Sequence, residues 1–209
     1  RTAQAILDEA MAAARAAGDE ERLISLGLDL IELHGSDRPP TRLALIDELL
    51  TLDTVTESPS IELSLLVVRA ATQRDLGMLP DARRSAERAR ALLDGPSWSD
   101  TDRVRVLGVL ISVRAELNET DELDRVVEEL LDAAARVGQA AISGRAHWVA
   151  STAYLVLGDA DRADSHLRHA IGQLPSDAMS VGDWLRFSRT VISTLLVLRR
   201  DLDTAAEWL

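Results

Sequence analysis

The chain has 209 residues, 46% of them apolar, which is enough for a sizeable core in one or two domains. It contains no cysteine and no lysine, which removes disulfides, thiolate metal sites, cysteine nucleophiles, lysine Schiff bases and the lysine of a P-loop. Its 35 acids against 23 arginines leave a net charge of −12, which argues against a direct grip on a nucleic-acid backbone.

Apolar spacing and an Ala-, Leu- and Arg-rich composition predict helices almost throughout, with only six prolines to interrupt them. In chain order the expected helices are Thr2 to Ala17, Asp19 to His34, Thr41 to Leu52, Ser60 to Leu76 and Asp81 to Leu93. Then come Asp100 to Leu117, Asp121 to Val137, Gln139 to Leu157, Ala160 to Leu174 and Asp177 to Arg199, with Asp201 to Leu209 opening another. Breaks at Gly18-Asp19, Gly35 to Pro40, Ser58-Pro59, Leu79-Pro80, Gly95-Pro96, Asn118, Gly138, Gly158 and Pro175 separate them. The clearest stripe is Leu123, Val126, Val127, Leu130, Leu131 and Ala134, with Asp124, Glu128, Glu129 and Asp132 on the other side. Short connections make neighbouring helices antiparallel hairpins.

The breaks recur. Gly77 is followed five residues later by Ala82, and Gly158 by Ala163; Asn118 with Leu123 and Arg200 with Ala205 hold the same offsets. The intervals are 41, 40 and 42 residues, and Gly35 lies another 42 before Gly77. A period near 40 built of two helices is the signature of an α-solenoid.

Residues Gly144 to Asp177 resemble a tetratricopeptide repeat: Ser151 small, Tyr154 aromatic, Gly158 at the turn, then Ala163, Leu167, Ala170 and Pro175. The copy from Leu63 keeps Ala70, Gly77, Ala82, Ala86 and Ala89 but has Gln73 in the aromatic position. The copy from Val104 has Asn118 and Leu123 in place of Gly and Ala. The resemblance implies an all-α, right-handed solenoid of helix hairpins forming one repeat domain over residues 1–209. Because the reading starts and stops within repeats and finishes on Ala205, Trp208 and Leu209, a longer polypeptide is expected.

By the same resemblance the first helix of each pair lines a concave, ligand-binding face. Aligning the turns assigns to it Arg22, Ser25, Asp29 and Glu32; Ser64, Val67, Ala71 and Arg74; Arg105, Ser112 and Glu116; Arg145, Trp148 and Thr152; and Phe187, Thr190 and Thr194. Arg22, Arg105 and Arg145 share one repeat position, and their guanidiniums suit the carboxylates or carbonyls of an extended peptide. Trp148 and Phe187 would add an apolar anchor. Internal pairing of these arginines with acids such as Asp29 and Glu116 is the competing reading. The two-carboxylate clamp of some relatives, a Lys/Asn set, is excluded by the absence of lysine.

Catalysis and metal binding find little support. His166 and His169 lie three apart on one helix without a third ligand at zinc spacing, so interhelical or solvated imidazoles are expected. Asp159, Asp161 and Asp164 lack the Gly and Glu of a calcium loop and sit where a helix is capped. His147 has no triad partner at a recognisable spacing, and no nucleophile-elbow, dinucleotide or zincin motif occurs. Glu128 and Glu129 point about 100° apart on a polar face. The expectation is therefore a non-catalytic binding and oligomerisation module with no cofactor and no metal. Its partner is a peptide or protein in the groove, with pairing to a second copy left open, and without nucleic-acid or membrane contact. The long period and the Arg/Ala richness resemble the sensor regions of bacterial helix-turn-helix transcription regulators, and the absence of cysteine is consistent with the expected cytoplasmic location. A scaffold or co-chaperone adaptor unrelated to DNA is the alternative.

Overall fold

Helix ends in this chain are fixed by small, identifiable devices. Thr2 accepts the backbone N–H of Ala5, Asp19 that of Arg22 and Asp159 that of Arg162, while Ser99 and Asp102 form a reciprocal capping box. Prolines occupy the first positions of three further helices. The structure, a computed structural model, describes residues 2–34, 38–95, 98–174 and 181–193. The expected break at Pro175, the ends of the Asp177 to Arg199 helix, the Arg200–Ala205 turn, and the final segment with Trp208 lie outside them. Among the described residues there are eleven helices and no strand.

The chain forms two compact units, Arg1–Gly95 and Pro96–Leu209. The first holds α1 (Ala3–Ala17), α2 (Glu20–His34), α3 (Pro39–Leu49), α4 (Asp53–Thr56), α5 (Pro59–Asp75) and α6 (Leu79–Leu92). The second holds α7 (Asp100–Glu116), α8 (Leu123–Val137), α9 (Ala140–Val156), α10 (Ala160–Gln173) and α11 (Val181–Ser193). Within each unit helices pack mainly on their sequence neighbours, α5 on α6, α7 on α8 and α9 on α10, with α7 also against α9. The fold is all-α and solenoid-like, built of neighbouring helix pairs.

The hairpin turns carry the period. Gly77, Asn118 and Gly158 have φ of 73°, 56° and 77°. In each the N–H one residue later reaches back to close the helix: Met78 to the Gln73 carbonyl (2.8 Å), Glu119 to Arg114 (2.9 Å) and Asp159 to Tyr154 (2.9 Å). Asparagine is the residue besides glycine that visits this left-handed region at small cost, which is why Asn118 can stand in for glycine. Glu122, at φ 63°, is also left-handed and delays the start of α8 to Leu123 rather than the expected Asp121.

Small residues set the crossing distance inside a pair. Ala70, Ala82, Ala86 and Ala89 are completely buried between α5 and α6. Between α9 and α10, Ser151 and Ala163 are completely buried, and the Ser151 hydroxyl donates to the Ala163 carbonyl at 2.8 Å, satisfying itself in the core. Leu167, Ala170, Leu174, Phe187 and Val191 continue that core, with Trp148 packed on it. A Cβ on Gly144 would sit 2.6 Å from the Leu174 side chain, so any other residue there would force Leu174 to move.

One expected helix is divided. In place of a helix from Thr41 to Leu52, α3 begins at Pro39, ends at Leu49, and is followed by the single turn α4. The Thr51 hydroxyl donates to the Glu48 carbonyl, and the Thr51 and Leu52 N–H groups bond three residues back instead of four, which stops α3. Glu20 of α2 then accepts from both the N–H (3.1 Å) and the hydroxyl (2.7 Å) of Thr54, fixing α4 from outside its own sequence. Those hydrogen bonds hold the Glu20 carboxyl below its usual range.

The register yields a direct test. Ala163→Leu should overpack the α9–α10 crossing and cost about 1–3 kcal/mol. Ser165→Leu, exposed on the same helix, should stay within about 0.5 kcal/mol of the parent in a thermal or urea melt.

Candidate functional site

The first helices of the second unit place the most regular set of polar side chains. Arg105 of α7 and Arg145 of α9 each lie thirteen residues before the turn residues Asn118 and Gly158, and both are exposed. Ser112 and Thr152 each lie six residues before those turns. The two helices are packed side by side, with Val149 3.9 Å from the position a Cβ on Gly108 would take. Repeat spacing therefore becomes lateral spacing, and equivalent residues form rows across α7 and α9.

The chemistry of the rows is complementary. Both hydroxyls donate back to the carbonyl four residues earlier, Ser112 to Gly108 (2.9 Å) and Thr152 to Trp148 (3.0 Å). Their oxygen lone pairs remain as acceptors. Arginine supplies donors only. Arg105 lies 3.9 Å from Asp102 of its own helix, an exposed contact that contributes little on its own.

Other expected site residues fall differently. Arg22 of α2 is exposed, its guanidinium without a partner among the described residues, and Ser25, Asp29 and Glu32 of that helix are exposed with it. Arg74 is half-buried and pairs with Asp75 at 3.0 Å. Phe187 is 1% exposed and belongs to the core; Thr190 is buried, and Thr194 lies outside the described residues. Trp148 is half-buried: its ring meets Phe187 edge to face at 5.4 Å and its indole N–H donates to Thr190 at 3.2 Å. Phe187 and Thr190 therefore hold Trp148 in place from behind.

The histidines are interhelical, and His147 belongs with them. Its Nδ1 lies 3.0 Å from Nδ1 of His166, and its ring stacks on His169 at 4.8 Å. Nothing in local spacing shows this, because nineteen residues separate His147 from His166; only the hairpin register brings them together. Beside them Arg162 covers the Tyr154 ring at 4.4 Å and binds Asp159 (2.6 Å) and Asp124 of α8 (2.5 Å). The Tyr154 hydroxyl donates to the same Asp124 at 2.8 Å. Burial and that bond push the Tyr154 phenol up to about 12, while the bonds from Tyr154 and Arg162 hold the Asp124 carboxyl down. Asp159 caps α10 as expected. No group of three or more histidine or carboxylate side chains among the described residues is placed to hold a metal ion.

No family model and no curated protein matches the chain. Among solved structures it is similar to that of BtubC (BKLC) from P. vanneervenii, with a TM-score of 0.73 and 17% identity over 100% of this chain and 89% of that one. At this identity the likeness concerns the fold: a helical, repeat-like architecture. Among the described residues no helix is long and apolar enough to cross a membrane.

Core and surface roles separate by truncation. Phe187→Ala should cost about 3–5 kcal/mol, as for any fully buried phenylalanine. Arg22→Ala should shift stability by no more than about 0.5 kcal/mol in the same melts.

Proposed function

We propose that the chain is a non-catalytic, tetratricopeptide-like module that binds an extended peptide segment of a partner protein. The observation that carries this reading is the pair of rows on α7 and α9. Arg105 and Arg145 offer donors in one row, and Ser112 and Thr152 offer acceptor lone pairs in the other. A peptide backbone and an acidic side chain present the matching groups, carbonyl and carboxylate oxygens for the guanidiniums and N–H groups for the hydroxyls. Trp148, held edge-on by Phe187, supplies a rigid aromatic surface on the same helix as Arg145.

The reading extends to a role as the effector-sensing and self-associating part of a bacterial transcription regulator in the cytoplasm. The acidity of the chain supports this, because a segment of net charge −12 is suited to a partner other than DNA. A scaffold without a link to transcription uses the same rows in the same way. The two differ in what the rest of the polypeptide carries, a basic helix-turn-helix in the first case and none in the second.

Selection of a random peptide display library on the 209-residue chain should enrich acidic, extended sequences. Arg105→Ala with Arg145→Ala should weaken the best of them by about tenfold or more, the scale of one to two lost charge-assisted hydrogen bonds, without lowering the melting temperature. Failure to enrich any peptide, or unchanged affinity in the double variant, would overturn the proposal.

A further inference from the structure

Two of the three imidazoles between α9 and α10 meet in a geometry that requires at least one of them to be neutral. His147 and His166 face each other through Nδ1 atoms 3.0 Å apart, so one ring donates and the other accepts. His169 is one turn beyond His166, and its Nδ1 lies 2.8 Å from the Ser165 carbonyl. A carbonyl only accepts, so that nitrogen carries a proton. His169 stacks on His147 with ring centroids 4.8 Å apart, and Tyr154 stacks on His166 at 5.6 Å.

A second proton changes this at once. With both His147 and His166 charged, both Nδ1 atoms are donors, the bond between them is lost, and two like charges meet across 3.0 Å in a half-buried site. The groups facing the cluster give no relief. Asp124, the acid that α8 turns toward it, is bound by Tyr154 and Arg162. On α10, Asp159 is held by Arg162 and Asp164 pairs with Arg168 at 3.0 Å. Arg162 itself adds positive charge beside His166.

We propose that His147, His166 and His169 form a proton-sensitive latch that holds α9 against α10 at neutral pH and loosens on mild acidification. The direction of titration agrees. Burial, then the neighbouring His166 and His169, lower His147 from 6.5 to about 4; burial, then His169 and Arg162, lower His166. A histidine that resists protonation in the folded state, but accepts it when released, contributes stability that is present above its free value near 6.5. That stability is lost as pH falls toward about 4. Ordinary carboxylates begin to titrate only below that upper part of the window. Because α9 carries Arg145, Trp148 and Thr152, loosening it would also disturb the rows of the proposed peptide site.

Hydrogen exchange on the whole chain, corrected for intrinsic rates, tests this between about pH 7.5 and about pH 5.5. The amides of α9 and α10 should lose protection by about threefold to tenfold, while those of α5 and α6 stay constant. In His147→Phe, which keeps an aromatic ring and removes one of the two lowered titrations, the loss should shrink. A wild type with unchanged protection, or a variant that declines in parallel with it, overturns the latch. Should the variant fail to fold, the wild-type histidine C2 proton resonances decide. At least one of His147 and His166 should titrate below about pH 5.5, and both titrating at about 6.5 or above would refute the proposal.

Discussion

A hairpin of two amphipathic helices exposes an apolar stripe that it cannot bury alone, and everything in this chain follows from how that stripe is covered. The pair closes on a residue forced into the left-handed region, and it closes tightly because the crossing positions are small. At Gly77 and Gly158 the turn costs nothing; at Asn118 it is tolerated. Ser151 and Ala163 then bring two backbones close enough for a side-chain hydroxyl to reach a carbonyl across the crossing. Once the turn and the crossing are fixed, the positions that meet between the two helices are fixed as well.

That constraint places quite different chemistry at equivalent points. Four residues before the turn and eight after it, Gln73 and Ser85 share a buried hydrogen bond of 2.8 Å, whereas Tyr154 and His166 stack. In the intervening pair Arg114 occupies the first position and turns away toward Glu122 at 3.7 Å. The backbone frame is conserved within the chain while the side chains in one slot change from amide to cation to phenol. The histidine cluster is the product of this freedom: a slot that elsewhere holds serine is filled by a titratable ring, with two more rings in reach.

Much of the frame is legible in the amino-acid sequence because it is written in residues with a single physical reason to be there. Glycine at 77 and 158, alanine at 82 and 163, and proline at 39, 59 and 80 each point to a turn, a crossing or a helix start. The division of α3 from α4 is not legible, because Thr51 competes for a helix carbonyl and the stabilising carboxylate, Glu20, comes from another helix. Phe187 shows the same limit. Its repeat position points to a binding face, yet an aromatic side chain beside Trp148 and Leu174 gains more from burial than from exposure. The histidine cluster is hidden for a related reason: its members are unremarkable along the chain and meet only through the register.

The central claim is that register, and assigned backbone NMR of the chain in solution tests it without any substitution. The account predicts left-handed backbone shifts at Gly77, Asn118 and Gly158, together with cross-helix proton contacts between residues 70 and 82, 111 and 123, and 151 and 163. Helical shifts running through those three turns, or contacts displaced by a turn of helix in one hairpin relative to the others, would contradict it.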